Sequence, residues 1–356
     1  MADQDEKSKR PRLLISSFDL EKQLRKLAES TLGAERGKWP YQGLRSGFPL
    51  LDERIDGIRN SIYVLASAAR MGKSTFALQW AHDILVKNPE AQVLFVSLDQ
   101  PARELNIRQV AMAGECRTDY VQHPTAAGVE KYDTKRQRGL SAVLKLKDRL
   151  TIVDESLGSM RVSDLTSFVK QKRGRTKRPL VLVVDPYYKL RPDNTDLQGA
   201  TPAEMVMSEL RTLASTEEVA IIATTRLARG AGLERPSLAD LEDQPGVLYD
   251  SHVLMLLYCD YVNNGNTPFL EWEWGTDDVM VPIFELNVSK NKMGAFSGRM
   301  WYRFYNSFSK FKECGDLEND NYNRMLANLK AHDKKDPERD ETDSARIDHI
   351  VDHTNT

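Results

Sequence analysis

The stretch SAARMGKST, residues 67–75, separates an apolar run from an amphipathic one. The run SIYVLAS, residues 61–67, precedes it, and TFALQWAHDILV, residues 75–86, follows it. A continuous run of β-branched and apolar residues predicts a strand covered on both faces, whereas apolar residues three or four positions apart predict a helix. We therefore expect a strand, a short loop and a helix in that order, with the loop at the helix N-terminus.

The loop carries the residues of a phosphate-binding P-loop, which needs a strand before it and a helix after it. Gly72 can adopt backbone angles that turn N–H groups toward phosphate oxygens. Lys73 supplies a positive charge for the β- and γ-phosphates, and the hydroxyl of Ser74 suits Mg²⁺. Ser67 replaces the first glycine of the pattern, and a Gly-Lys-Ser at a helix start by chance is the alternative. We predict that ATP and Mg²⁺ are held by Ser67, Ala68, Ala69, Arg70, Met71, Gly72, Lys73, Ser74 and Thr75.

Apolar runs alternate with helical stretches from about residue 44 to residue 312. This alternation predicts an α/β fold, a P-loop NTPase with a mainly parallel central β-sheet flanked by helices. Two later runs, 282–290 and 298–305, predict a C-terminal β-hairpin at the sheet edge. The predicted parallel strands are 61–67, 92–98, 149–154, 180–185, 220–225 and 252–258.

Two acidic residues end other apolar runs. Asp185 ends LVLVVD, and Asp99 follows VLFVSL. A strand buried on both faces rarely ends in a charge that has no partner, so we expect Asp185, on a strand beside the P-loop strand, to hold Mg²⁺ through a water. A helix N-cap is the alternative for Asp185. We expect Asp99 to polarise the attacking water, with a turn before Pro101 as its alternative.

The composition limits the classes of partner and compartment. The net charge is −2 and the pI about 6.4, so any contact with nucleic acid must come from a local basic patch. Cys116, Cys259 and Cys314 lack metal-ligand spacing, which favours a reducing, cytoplasmic location. The charged N-terminus and the lack of a run of roughly 18 apolar residues argue against secretion and against a membrane span.

The ends of the chain differ from its centre. Residues 1–15 predict a disordered leader, and residues 16–33 predict a helix whose apolar stripe must dock on its own domain or on a neighbour. The central domain is predicted to span residues 40–313. Residues 314–356 are polar and of mixed charge, which predicts a mostly disordered tail with a helical turn or two around residues 321–332.

Six segments of the chain carry a family likeness. They are SGFPLLDERIDGI, LASAARMGKSTFALQ, VLFVSLDQPARELNIR, VLVVDPYYKL, RPSLADLEDQPGVLYDSHVLMLLY and ELNVSKNKMGAFSGRMWYRFYNSFSKF. In this order they resemble the C-terminal motor domain of DnaB-type replicative helicases, over about residues 16–312. The resemblance implies a RecA-like fold, a hexameric ring with ATP at the subunit interfaces, single-stranded DNA through the pore, and a linker helix docked on the adjacent subunit. It also implies contact with a loader or another replication protein.

The resemblance assigns roles to four residues, three of which depart from the residue type of the family. Asp99 stands where the family has a catalytic glutamate, one methylene longer. Arg226 stands where it has a glutamine that senses the γ-phosphate. Lys292 stands where it has an arginine finger, and Lys290 matches the neighbouring lysine. Lysine keeps the charge of arginine but loses its planar, two-pronged donor.

The region that resembles the family's DNA loop departs as well, since Glu242 and Asp243 replace an arginine-glutamate pair and Pro245 replaces a glycine. An acidic side chain repels a phosphate, and proline removes a backbone donor. The leading interpretation is an ATP-dependent DNA helicase or translocase. A degenerate ATPase that uses ATP for assembly or partner docking without unwinding is a second interpretation. A KaiC-like or recombinase-like RecA ATPase is a third, against which the SKNKMG hairpin argues.

Overall fold

The computed structural model describes residues 25, 43–125, 132–154, 156, 158–174, 178–194, 199–227, 234–263, 265, 267–273 and 279–333. The predicted leader, residues 1–15, lies outside these residues, as does the predicted docking helix, residues 16–33, except for Arg25. Over the described ranges, no helix combines the length and apolarity needed to cross a membrane.

Ten strands are present in the described part of the chain. They are β1 (Ile62–Ser67), β2 (Gln92–Ser97), β3 (Leu150–Asp154), β4 (Leu180–Asp185), β5 (Ala220–Arg226), β6 (Val253–Cys259), β7 (Leu270–Glu273), β8 (Val279–Asn291), β9 (Gly298–Tyr305) and β10 (Lys310–Glu313).

The α-helices of the same residues are α1 (Pro49–Ile55), α2 (Lys73–Lys87), α3 (Ala102–Gly114), α4 (Thr118–Gln122), α5 (Asp133–Leu144), α6 (Val162–Arg173), α7 (Pro202–Thr216), α8 (Pro245–Asp250), α9 (Asp260–Asn263) and α10 (Asp316–Asp333). Short 3₁₀ turns occupy Tyr187–Lys189, Leu238–Leu241 and Asn306–Phe308.

The strands form one sheet in the order β3-β2-β4-β5-β1-β6-β8-β9-β10, with β7 paired to β8. The first six strands are parallel, whereas β7 to β10 pair antiparallel. All six predicted parallel strands are confirmed, and so is the predicted hairpin, which is β8 and β9. Parallel strands linked through helices bring their carboxyl ends to one edge, where ligands bind in such sheets.

The prediction that Asp185 lies on a strand beside the P-loop strand is wrong. β5 separates the two, because β1 pairs with β5 and β5 pairs with β4. Strand order is a long-range property that the alternation of runs does not encode. The carboxyl ends nevertheless lie close together, since Val184 pairs with Ala223 and Ala223 pairs with Val64 of β1.

The sheet is covered on both faces, as its continuous apolar strands predict. Along β1, Tyr63 and Leu65 pack into one core layer together with Phe76 and Trp80 of α2. The intervening residues, such as Val64, pack into the other layer against α6 and α7. The helix that follows the P-loop is therefore anchored by its aromatic residues, which fixes the position of its N-terminus.

The expectation of a mostly disordered tail is not met by its first part. Residues 316–333 form α10, whose Tyr322 and Leu326 pack with Phe269 and Trp301. The rings of Phe269 and Trp301 stack with centroids 5.0 Å apart. A helix with few apolar residues is stable here because its partners come from other segments. Residues 334–356 lie outside the described part.

Candidate nucleotide site

The predicted phosphate loop joins β1 to α2 at the carboxyl edge of the sheet. Gly72 has φ +74 and is the residue before the first turn of α2, and Arg70 also has a positive φ of +63. A Cβ on Gly72 would lie 3.2 Å from Cζ of Phe311, so a larger residue would press against β10 as well as strain the backbone. The loop leads directly into a helix N-terminus, whose first N–H groups have no partner within the helix, and this is an anion-binding arrangement.

Lys73 is folded back over this loop. Its ammonium group donates to the carbonyl of Ser67 at 3.1 Å, to the Ser67 hydroxyl at 3.1 Å and to the carbonyl of Ala68 at 3.0 Å. Burial lowers the pKa of Lys73, and the charges of Asp185 and Asp99 partly oppose that shift. A partly buried ammonium beside backbone N–H groups suits a polyphosphate. Burial destabilises the charged form of the lysine, and the negative charge of the phosphates stabilises it again.

Asp185 ends β4 and is only 2% exposed. The hydroxyl of Thr224, from the intervening strand β5, donates to Oδ1, while Oδ2 is buried and accepts no hydrogen bond from the described residues. Burial raises the pKa of Asp185, and the hydroxyls of Thr224 and Ser74 and the charge of Lys73 act against it. Asp185 therefore lies near both Ser74 and Lys73, with β5 between its strand and β1.

Asp99 follows β2, next to β4, with its side chain half-exposed. Its Oδ1 is bound by the ammonium of Lys189, in the 3₁₀ turn that follows Asp185. On the other flank, Arg226 ends β5 and holds its guanidinium carbon 5.2 Å from the centre of the Tyr188 ring. Asp99 and Arg226 thus border the same edge as Lys73 and Asp185.

The other two predicted site residues lie elsewhere. Lys290 pairs with Leu254 near the start of β6, and the backbone of Lys292 bonds to His252. This is the amino edge of the parallel strands, because Tyr63 at the start of β1 pairs with Val253. The two edges are roughly 13 Å apart along β1, so these lysines cannot reach a nucleotide on the Lys73 of the same chain.

Both lysines converge on the C-terminus of α8. Lys290 donates to the carbonyl of Leu248, and Lys292 donates to that of Tyr249 at 3.1 Å. Burial, together with the charge of Lys292, lowers the pKa of Lys290 to about 8. Lys290 and Lys292 therefore place two neighbouring positive charges, one of them partly desolvated, at the edge opposite the phosphate loop.

Three residues of the site were missed by the sequence reasoning. Thr224 holds Asp185, Lys189 holds Asp99, and Gln244 holds the end of β5 by bonding the hydroxyl of Thr225 at 2.6 Å and the carbonyl of Arg226 at 2.8 Å. The closest indication of these roles in the sequence is that Lys189 follows Asp185 by four residues. The neighbouring residues Glu242 and Asp243 are exposed, on the short link between the 3₁₀ turn Leu238–Leu241 and α8.

Comparison with known proteins identifies the family. The DnaB-like helicase C-terminal domain matches residues 43–313. The chain is 26% identical to the replicative DNA helicase DnaB of Haemophilus influenzae and 27% identical to that of Pasteurella multocida, each over 279 residues, or 77% of this chain. It spans 56% of the length of both relatives.

Solved structures share the fold. The ATPase domain of G40P superposes with a TM-score of 0.71 at 20% identity, over 83% of this chain and 99% of that one. A DnaB-like replicative helicase, solved for its interactions with primase, gives 0.68 at 20% identity, over 81% of this chain and 66% of that one. The predicted RecA-like architecture is confirmed. The chain belongs to the family of the DnaB-like helicase C-terminal domain.

Proposed function

We propose that this chain is the ATP-hydrolysing motor of a DNA helicase that works as a ring, a hexamer by its family resemblance, on single-stranded DNA in the cytoplasm. The observation that carries the proposal is the convergence of Lys73, Ser74 and the buried Asp185 at the carboxyl edge of the sheet. These residues come from two segments far apart in sequence, and the carboxylate of Asp185 is costly to bury there without a ligand. A loader or another replication protein is the expected further partner.

The residues present fit Mg·ATP. The unpartnered Oδ2 of Asp185 and the hydroxyl of Ser74 are hard oxygen donors, which Mg²⁺ prefers. Bound there, the ion would supply charge neutralisation between the β- and γ-phosphates. The N–H groups at the start of α2 and the ammonium of Lys73 would hold the phosphate oxygens. Asp99 would accept a hydrogen bond from the attacking water and orient it toward the γ-phosphorus.

A complete site needs a second copy of the chain. Lys290 and Lys292 lie at the amino edge, and a head-to-tail arrangement would bring that edge of one copy to the carboxyl edge of the next. Head-to-tail contacts that repeat close into a ring when the rotation between copies closes, and otherwise they form an open filament. In such a ring, the two lysines would stabilise the charge that develops on the γ-phosphate of the neighbouring subunit.

Replacement of Lys73 tests the proposal. Lys73→Ala is expected to abolish phosphate release, with or without single-stranded DNA, because the buried cation for the terminal phosphates is lost. Lys87→Ala is the matched control, since Lys87 is exposed at the other end of the same helix. Phosphate release by Lys73→Ala at the wild-type rate would show that the site is misassigned.

A second candidate is an ATP-dependent assembly factor that does not unwind DNA. The exposed acids Glu242 and Asp243 favour it, because they stand in the segment that resembles the family's DNA loop and would repel a phosphate backbone. Unwinding of forked DNA by the purified chain with ATP separates the two candidates. Strand separation eliminates the assembly factor, and ATP-dependent association without separation eliminates the helicase.

A further inference from the structure

We propose that Lys189 is a positioning residue for ATP hydrolysis, which holds the carboxylate of Asp99 by one oxygen and leaves the other to orient the attacking water. This inference rests on the proposed function and adds a residue to its site. It concerns a contact between side chains that are 90 positions apart in the sequence.

The pairing of β2 with β4 brings the two residues together. The backbone N–H of Leu98 donates to the carbonyl of Asp185 at 2.7 Å, so the segment after β2 follows β4 one residue beyond the strand ends. The chain then turns back through Tyr187–Lys189. The ammonium of Lys189 binds Oδ1 of Asp99 and also donates to the carbonyl of Leu98 at 2.9 Å.

The main chain around Asp99 is fixed from both sides. The Ser97 hydroxyl donates to the carbonyl of Gln100 at 2.6 Å and accepts from its N–H at 3.2 Å. Arg108 of α3 donates to the side chain of Gln100 at 2.6 Å. The side chain of Asp99, however, is 57% exposed, so packing does not select its rotamer. The contact with Lys189 is what restricts the direction of the carboxylate.

Stability does not account for this pair. An ion pair between half-exposed side chains contributes little to folding, and often nothing measurable. Its location has a different consequence, because the turn that carries Lys189, Tyr187–Lys189, follows Asp185 after a single residue, Pro186. The segment that carries the proposed magnesium ligand therefore also sets the position of the proposed water-orienting carboxylate.

The chemistry of lysine suits this role. An ammonium is a point charge that contacts one carboxylate oxygen, whereas a guanidinium fork usually occupies both. With Oδ1 held by Lys189, Oδ2 stays available as an acceptor. An aspartate is also one methylene shorter than a glutamate, so its reach depends on where it is held. A misplacement of about 1 Å at a reacting centre costs roughly a hundredfold in rate.

The test compares Lys189→Met with the wild-type protein. Methionine has a similar length and no charge. We expect kcat for ATP hydrolysis, with single-stranded DNA present, to fall about 10- to 100-fold, with the Kd of a fluorescent ATP analogue unchanged. Lys170→Met is the matched control, since the exposed side chain of Lys170, on α6 away from the site, pairs with the mostly buried carboxylate of Glu217 at 3.6 Å. It should keep the wild-type kcat.

Rescue by a longer acid separates positioning from a structural role. In the Lys189→Met background, Asp99→Glu should recover much of the lost kcat, because a glutamate reaches further without support. A wild-type kcat for Lys189→Met overturns the inference. So does a loss of kcat that comes with an equal loss of nucleotide affinity and is not rescued. If Lys73→Ala is inactive while Lys189→Met is fully active, this inference fails and the proposed function stands; a wild-type protein without ATPase activity overturns both.

Discussion

The two charged side chains at the centre of the site, Lys73 and Asp185, lie where the surrounding protein opposes their charge. Burial lowers the pKa of the lysine and raises that of the aspartate, and each partly offsets the shift of the other. When burial destabilises the charged form of a group, an oppositely charged ligand stabilises that form the most. The site thus favours a ligand that brings anionic oxygens and a cation together.

Thr224 is the residue that orients Asp185, and its replacement gives a specific prediction. Thr224→Val keeps the shape of the side chain but removes the hydroxyl that donates to Oδ1. We expect the Mg²⁺ concentration that gives half-maximal ATPase activity to rise about tenfold or more, as for other residues that orient a metal ligand. Thr212→Val, on the exposed face of α7, is the control and should change nothing. An unchanged Mg²⁺ requirement in Thr224→Val would mean that Asp185 needs no such support.

At the scale of elements, α1 depends on a residue from the other end of the domain. The residue before α1, Phe48, offers no capping side chain. Glu313 of β10 instead accepts the N–H groups of Leu50 at 2.8 Å and Leu51 at 2.9 Å. A carboxylate at a helix N-terminus is favoured by the helix dipole. The last strand of the sheet therefore fixes the first helix of the domain.

This contact predicts a pH dependence of stability. Burial raises the pKa of Glu313 to about 7, from 4.5. Between those values the folded state binds a proton that the unfolded state releases, so this group's contribution to stability is complete below about pH 4.5 and is lost as the pH rises through 7. We expect Glu313→Gln to flatten the fall in unfolding free energy between pH 5 and pH 8, measured by urea titration. The exposed Glu53→Gln on α1 should keep the wild-type slope, and equal slopes in all three proteins would refute the assignment.

The packing of α10 predicts a contrast between two leucines one turn apart. Leu326 is 4% exposed and contacts the cluster of Phe269 and Trp301, whereas Leu329 is 36% exposed. We expect Leu326→Ala to lower the free energy of unfolding by about 2–3 kcal/mol, because it leaves a cavity. Leu329→Ala should cost less than about 0.5 kcal/mol. Similar losses in chemical denaturation would mean that α10 is not docked as described.

The elements that could be predicted from the sequence are those whose signal is local. β1 and β4 are continuous apolar runs, and the P-loop residues are consecutive, so both could be recognised without knowing their neighbours. A helical turn or two was predicted where the longer α10 forms, because its apolar residues, such as Tyr322 and Leu326, are few and their partners lie on β9 and before β7. The contact between Lys189 and Asp99 depends on the pairing of β2 with β4, which no spacing in the sequence reveals.

At the scale of the whole described domain, the proposed catalytic groups are divided between two opposite edges of one sheet. Lys73, Asp185 and Asp99 lie at the carboxyl edge, and Lys290 and Lys292 lie at the amino edge. A single copy therefore carries two half-sites that cannot meet. Activity should depend on assembly, with ATP hydrolysis per chain rising with protein concentration through the association range.

Mixing two inactive variants tests this division. Lys73→Ala lacks the phosphate-binding lysine, and Lys292→Ala lacks one basic group of the opposite edge. Each is expected to be nearly inactive alone. In a random equal mixture, about a quarter of the interfaces would join an intact carboxyl edge to an intact amino edge, so phosphate release should recover to about that fraction. A variant that carries both substitutions should show no recovery when it is mixed with either single variant. If the mixture of the two single variants also shows no recovery, the lysines lie outside the site.

The contact between α2 and β10 behind the phosphate loop has a consequence for the synthesis of the chain. Gln79 of α2 bonds the backbone N–H of Phe311 at 2.7 Å and its carbonyl at 2.8 Å, and the ring of Phe311 backs Gly72. These partners are 232 positions apart. A growing chain on the ribosome thus exposes its GKS segment long before the wall behind it has been translated. Under the proposed function, we therefore expect tight retention of nucleotide to begin only after Phe311 has been translated.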